Sequence, residues 1–200
     1  MRLKINEGIH RDIGKFSYID KDTFSTPFFT KEYCKYFISL FEELGFDVDE
    51  NGNYDTLIHK VPAGDELCES FLTVVQEIIE PEILKAFTPA IKNRLWRGYP
   101  VPFIKKFSSL GQTKLKLHSD NSLITLFVKL NDEFEGCETV FPRQNWNMKD
   151  LEVGHMVIFP GSITHPHYTK KMISGCKYSL VGRISILSPR ENQFDSIREY

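Results

Sequence analysis

The residues of this chain whose types and spacing could do chemistry are His118-Ser-Asp120, then His165-Pro-His167, then Lys177. Two neutral imidazoles and one carboxylate on one side of a metal leave its other side open. That facial set suits iron(II), although zinc, manganese and nickel accept similar donors. His118 and Asp120 stand two positions apart, so on a strand both point to one face. The third donor has to arrive from elsewhere. His165 and His167 compete for that place, and both face the same way if their segment is extended. Lys177 follows His167 by ten residues. A neighbouring strand could bring it near the open side as a fixed positive charge, suited to the far carboxylate of a dicarboxylic acid. Lysine acts there as a point charge, whereas arginine would offer a fork.

Each fragment has an ordinary reading as well. An isolated H-x-D triplet is a weak motif. His118 alone reads as a hydrogen-bonded strand residue, and Asp120 as the start of an Asp-Asn-Ser turn. A histidine after Pro160-Gly161 reads as a polar loop residue, and Lys177 as a solvated lysine. The ordered combination carries the weight. His10, His59 and His155 have no partner pattern. Trp96 and Tyr99 lie near a strand entry, where packing is the commoner role and contact with substrate the alternative.

The elements that must position these residues fall into two halves. Residues 1–27 are polar and read as irregular. Tyr33, Phe37, Leu40, Phe41 and Leu44 recur at helical spacing, with Thr30 suited to cap the start and Gly45 the end. Residues 46–63 read as loop, with a turn at Asn51-Gly-Asn. A second helix is predicted at about 65–79, capped by Asp65 and ended by Pro81, and a short one within 82–93. After residue 95 come short apolar runs separated by Gly, Asn, Asp and Pro: 102–107, 115–117, 123–130, 156–159 and 178–186. Lys177 would stand at the start of the last run. Helices followed by many short strands predict an α+β fold: a double-stranded β-helix (jelly roll) core with N-terminal helices packed on one sheet. A single domain is expected over 1–200, with the helical flank at about 28–93 and the jelly-roll core at about 95–190.

Composition fits this. Hydrophobic residues make up 41% and charged residues 26% of the chain, which predicts a packed core, and sixteen phenylalanines suit a β-rich interior. The net charge is −2 without a long basic run, so there is no electrostatic basis for binding nucleic acid. No apolar leader and no membrane-length stretch are visible, and the four cysteines show no C-x-x-C pair. A reduced, cytoplasmic setting without membrane contact is the expectation.

The ordered line His118-x-Asp120, Phe134-Glu-Gly-Cys-Glu-Thr-x-Phe141, Gly154-x-x-x-x-Phe159-Pro-Gly, His167, Gly175-x-Lys177-Tyr178 resembles the Fe(II)/2-oxoglutarate dioxygenases, in the branch of the prolyl and lysyl hydroxylases. The likeness is strongest to the catalytic domain of procollagen lysyl hydroxylases and runs from the helix around Leu67–Ile79 to about Ile186. The resemblance implies that His118, Asp120 and His167 hold iron, and that Lys177 pairs with the tail of 2-oxoglutarate. It also favours His167 over His165, which is left to orient the site or contact substrate. The implied reaction hydroxylates a C–H bond of a peptidyl lysine or proline, or of an amino acid, using O2 and releasing succinate and CO2, with ascorbate as a reductant. Two positions depart from the family: Phe107 stands where a tyrosine usually helps hold 2-oxoglutarate, and Phe127 where lysyl hydroxylases have asparagine. Those departures leave two alternatives, a jelly-roll metal protein that does not turn over 2-oxoglutarate and a binding module that keeps only the fold.

Overall fold

The structure is a computed structural model and describes residues 5–50, 52–87, 97–98 and 100–186. Trp96, Tyr99, the end of the helical flank and the end of the expected core lie outside the described residues.

Among the described residues there are four α-helices, α1 (Ile5–Gly8), α2 (Lys31–Leu44), α3 (Gly64–Val74) and α4 (Glu80–Ala86), with a π-helical turn over Val75–Ile79 between the last two. The strands are β1 (Ser17–Asp20), β2 (Thr23–Pro27), β3 (Tyr54–Leu57), β4 (Arg97–Gly98), β5 (Phe103–Ser108), β6 (Leu115–His118) and β7 (Ile124–Lys129). They continue with β8 (Phe134–Gly136), β9 (Thr139–Phe141), β10 (Trp146–Asn147), β11 (His155–Pro160), β12 (His167–Thr169) and β13 (Met172–Ile186). The larger sheet runs β1-β2-β11-β7-β13-β5-β3, with β4 and β8 also paired to β13. The smaller runs β10-β9-β12-β6. This is the expected α+β jelly roll, with helices on one sheet.

Local chemistry explains the helical layer. The Thr30 hydroxyl accepts from the Tyr33 N–H, and Gly45, at φ 85°, closes α2 by donating its N–H to the Phe41 carbonyl. Of the predicted stripe, Tyr33, Phe37 and Phe41 are buried, together with Cys34, whereas Leu40 is half-buried and Leu44, at the helix end, is exposed. The buried side chains join Phe71 of α3 in one core with Leu126, Val128, Met156, Ile158, Leu180 and Ile184 of the larger sheet. A Cβ at Gly182 would stand 2.9 Å from the Phe71 ring, so the missing side chain lets that ring lie against the sheet. Burying a phenylalanine of this kind contributes about 1.5–3 kcal/mol. Because side chains alternate along a strand, the opposite faces of β7, β11 and β13 turn toward the smaller sheet. There Phe141, Met148, Leu151, Val157 and Phe159 make a second core. The functional side chains lie in this inter-sheet layer.

Several local readings are corrected. The segment 1–27 is not irregular: β2 sits beside β11 and its first four residues are buried. Its alternation is masked because Thr23, Ser25 and Thr26 are buried with Phe24. The 46–63 loop contains β3, an edge strand that pairs with β5. Asp65 does not cap α3; Ala63, in a left-handed conformation at φ 61°, occupies that place without a side-chain cap. Pro81 does not break the helical run: it falls in the first turn of α4, directly after the π-helical turn over Val75–Ile79. Lys177 lies inside β13 rather than at a strand start.

Candidate metal centre

β6 and β12 pair antiparallel with His118 directly opposite His167. Directly opposed residues project to the same face of a sheet. Asp120 lies just beyond the end of β6, so strand alternation is not what places it. A turn does so, pinned where the Asp120 carbonyl accepts the Ser162 N–H at 2.7 Å. The Thr125 hydroxyl then donates to Asp120 Oδ2 at 2.7 Å, and Ser122 Oγ stands 2.9 Å from that hydroxyl.

The result is a compact donor set. One ligand atom from each of His118, Asp120 and His167 lies within 4.8 Å of the other two. His118 Nε2 is 3.7 Å from Asp120 Oδ1, and His167 Nε2 is 3.8 Å from Asp120 Oδ2. These gaps are a little wider than the about 3–3.5 Å that bonds of about 2.1 Å impose on neighbouring ligands.

The far ring nitrogens settle the tautomers. His118 Nδ1 is 2.9 Å from the Lys116 carbonyl, and His167 Nδ1 is 3.1 Å from the His165 carbonyl. A carbonyl only accepts, so each Nδ1 carries a hydrogen, and in the neutral ring Nε2 presents a lone pair. Burial pushes the His167 pKa down, outweighing the opposing pull of Asp120, which keeps the ring neutral. Phe141 stacks on it at 5.0 Å and Phe159 meets it edge-on at 5.4 Å. With both rings neutral, as metal binding requires, two lone pairs and a carboxylate converge. Such a set is costly to bury unless a cation joins it. The donor chemistry fits iron(II) and other divalent ions that take imidazole and carboxylate.

Lys177 occupies another part of the inter-sheet space. Its ammonium donates to Thr139 Oγ1 at 2.6 Å and to the Cys137 carbonyl at 3.0 Å. The rings of Phe107 and Phe127 lie 5.4 and 5.6 Å from it. The two departures from the family pattern thus flank one cation. Burial pushes the Lys177 pKa down to about 8. Thr139 Oγ1 is 3.4 Å from Thr169 Oγ1, which lies on β12 two residues beyond His167. A cavity of about 360 Å³ opens beside Lys177, lined by Phe127, Lys129, Glu138, Thr139 and Met148 among others. None of the three metal-type donors lines it.

His165 is not part of the donor set. Its Nε2 stands 3.0 Å from Thr23 Oγ1 and its Nδ1 3.0 Å from Thr164 Oγ1, so the ring ties the site to β2. Its carbonyl, not its ring, orients His167. Sequence reasoning missed Thr125, Thr139 and Arg183. Thr139 sits inside the quoted Phe134–Phe141 run. Arg183 was legible as one charge within an apolar strand. Its Nη2 stands 3.7 Å from Asp120 Oδ1.

No family model matches the chain. In sequence it is 27% identical over 180 residues to procollagen-lysine,2-oxoglutarate 5-dioxygenase 2 of Homo sapiens. The chain resembles the procollagen lysyl hydroxylases. The match covers 82% of this chain but spans only 23% of the human protein. Among solved structures, viral collagen prolyl hydroxylase from Paramecium bursaria Chlorella virus 1, in complex with 2-oxoglutarate, superposes with a TM-score of 0.64 at 16% identity, covering 84% of this chain and 97% of that one. A prolyl hydroxylase of Trichoplax adhaerens, in complex with a hypoxia inducible factor peptide fragment, gives 0.59 at 15% identity over 86% of this chain and 84% of that one. These likenesses show the jelly-roll fold.

Proposed function

We propose that this chain is an iron(II)- and 2-oxoglutarate-dependent hydroxylase acting on a C–H bond of a peptidyl proline or lysine, with release of succinate and CO2. The observation that carries the reading is the convergence of one ring nitrogen each of His118 and His167 with the Asp120 carboxylate, all within 4.8 Å of one another. His118, Asp120 and His167 would hold the metal. Iron and 2-oxoglutarate, when bound, supply the oxidative chemistry with O2. The chain's own residues supply position and dryness. Thr125 fixes the Asp120 carboxylate, and the Lys116 and His165 carbonyls fix the two rings. Lys177, as a protonated ammonium, would pair with the far carboxylate of 2-oxoglutarate, with the Thr139 hydroxyl beside it. Phe107 and Phe127 exclude water there, which strengthens the ion pair but leaves its polar hold on Lys177 and Thr139.

The relative named for procollagen lysine and the neighbour that carries a peptide support a peptide substrate. The four free thiols fit a reducing compartment, and a cytoplasmic setting is part of the proposal. Ascorbate is proposed as reductant on the resemblance alone. The test is anaerobic titration with iron(II) and 2-oxoglutarate, followed by succinate assay over proline- and lysine-containing peptides. Binding of both ligands with succinate release that depends on a peptide supports the reading. Failure to bind 2-oxoglutarate in the metal-loaded protein rejects it.

A further inference from the structure

Arg183 lies on the face of β13 that also carries Lys177, six residues further along, where alternation returns it to the inter-sheet side. Its strand partner is Thr125, the residue that fixes Asp120. Arg183 Nη2 stands 3.7 Å from Asp120 Oδ1, an ion-pair distance too long for a hydrogen bond. Its guanidinium carbon lies 5.3 Å from the centre of the Phe103 ring, which supports one side of the group. Nε is buried and has no hydrogen-bond partner among the described residues. The solvent side of the donor set is also defined: the side chains of His118 and Arg183 are each 32% exposed, whereas those of Asp120 and His167 are 7% exposed. A molecule that reaches the site from solvent therefore meets His118 and Arg183 together.

We propose that Arg183 is a specificity-determining residue that binds a carboxylate on the substrate, next to the carbon to be oxidised. The inference rests on the hydroxylase reading and deepens it. A planar guanidinium that is partly exposed, not hydrogen-bonded to Asp120 and stiffened by an aromatic ring is built for a carboxylate. The same cation opposes the ammonium of a lysine side chain, so the target is an uncharged C–H unit such as a proline ring. The carboxylate has two sources. It is the α-carboxylate of a free or C-terminal residue, or the side chain of an acidic residue adjoining an internal target.

The test uses the full chain loaded with Mn(II), a redox-silent stand-in for iron, and 2-oxoglutarate, with binding read by calorimetry. N-acetyl-L-proline against its amide reads the first source. A doubly blocked Pro-Glu peptide against Pro-Gln reads the second. N-acetyl-L-lysine amide serves as the cationic probe. The expected result is that one carboxylate probe binds about tenfold more tightly than its neutral partner, the scale of one charge-assisted pair, and that the lysine probe binds worst. Arg183→Gln should erase the preference and Arg183→Lys should keep part of it, while Mn(II) affinity stays within about threefold.

Equal binding, or none, of the charged and neutral probes to loaded wild type overturns the inference. So does a preference that survives in Arg183→Gln. A Mn(II) affinity that collapses in both variants would make Arg183 a support for Asp120 and equally overturn it. If wild type binds neither Mn(II) nor 2-oxoglutarate, the hydroxylase reading itself has failed.

Discussion

His118 and His167 are register partners on adjacent antiparallel strands, and their ring centroids lie 4.4 Å apart. The metal-type site is thus one cross-strand pair plus one carboxylate delivered by a turn. That turn leans on β7 through Thr125 and on the 162–164 segment through Ser162.

The two histidines of His165-Pro-His167 should behave differently. His167→Ala is expected to abolish metal binding with little loss of fold. His165→Ala removes the links to Thr23 and Thr164 and should lower stability by about 1–3 kcal/mol while the donor atoms remain. Metal titration beside denaturant unfolding separates the two, and comparable loss of metal in both variants would contradict the assignment.

Thr125→Val keeps the shape of the side chain but removes the hydroxyl on Asp120 Oδ2. Losing a group that orients a ligand typically costs 10- to 100-fold, so metal affinity should fall by about tenfold or more. Competition against a chelator measures this. An unaltered affinity would show that Asp120 is held without Thr125.

Lys177 predicts a pH dependence with two opposite signs. Its pKa is pushed down to about 8 by burial, and its charge is what the 2-oxoglutarate tail would pair with. Above about pH 8 the Kd for 2-oxoglutarate should climb, approaching tenfold per pH unit, with proton uptake on binding. Stability moves the other way. The unfolded chain holds this proton up to about 10.5, so between about 8 and 10.5 the unfolded state carries more protons, and this group's contribution to stability rises with pH. Lys177→Met should abolish both effects. A Kd for 2-oxoglutarate that is flat from about pH 7 to 9.5 in wild type would remove Lys177 from the co-substrate site.

Phe127 packs on the Phe141 and Phe159 core and faces the Lys177 ammonium. Phe127→Asn should cost about 2–4 kcal/mol of stability through the lost ring. It should tighten 2-oxoglutarate binding by about threefold or more, through an added hydrogen bond beside the lysine. Unfolding and 2-oxoglutarate titrations on the same sample read both. Weaker 2-oxoglutarate binding would mean that the ring itself is part of the pocket.

What the sequence by itself determined is local or ordered. The Thr30 cap, the buried stripe of α2 and the Gly45 stop are written in neighbouring residues, so they were readable before any fold. The order H-x-D, later histidine, later lysine was legible because chain spacing survives folding. The burial of β2, the edge pairing of β3 and the helical path through Pro81 were not legible. Each depends on partners far along the chain, and buried Thr and Ser in β2 hide its alternation. Only tertiary structure decided which of His165 and His167 turns its lone pair toward Asp120, because that follows from the register of β6 against β12. It alone set Phe107 and Phe127 around Lys177 and brought Arg183 beside Asp120. Those relationships join strands that sequence distance keeps apart.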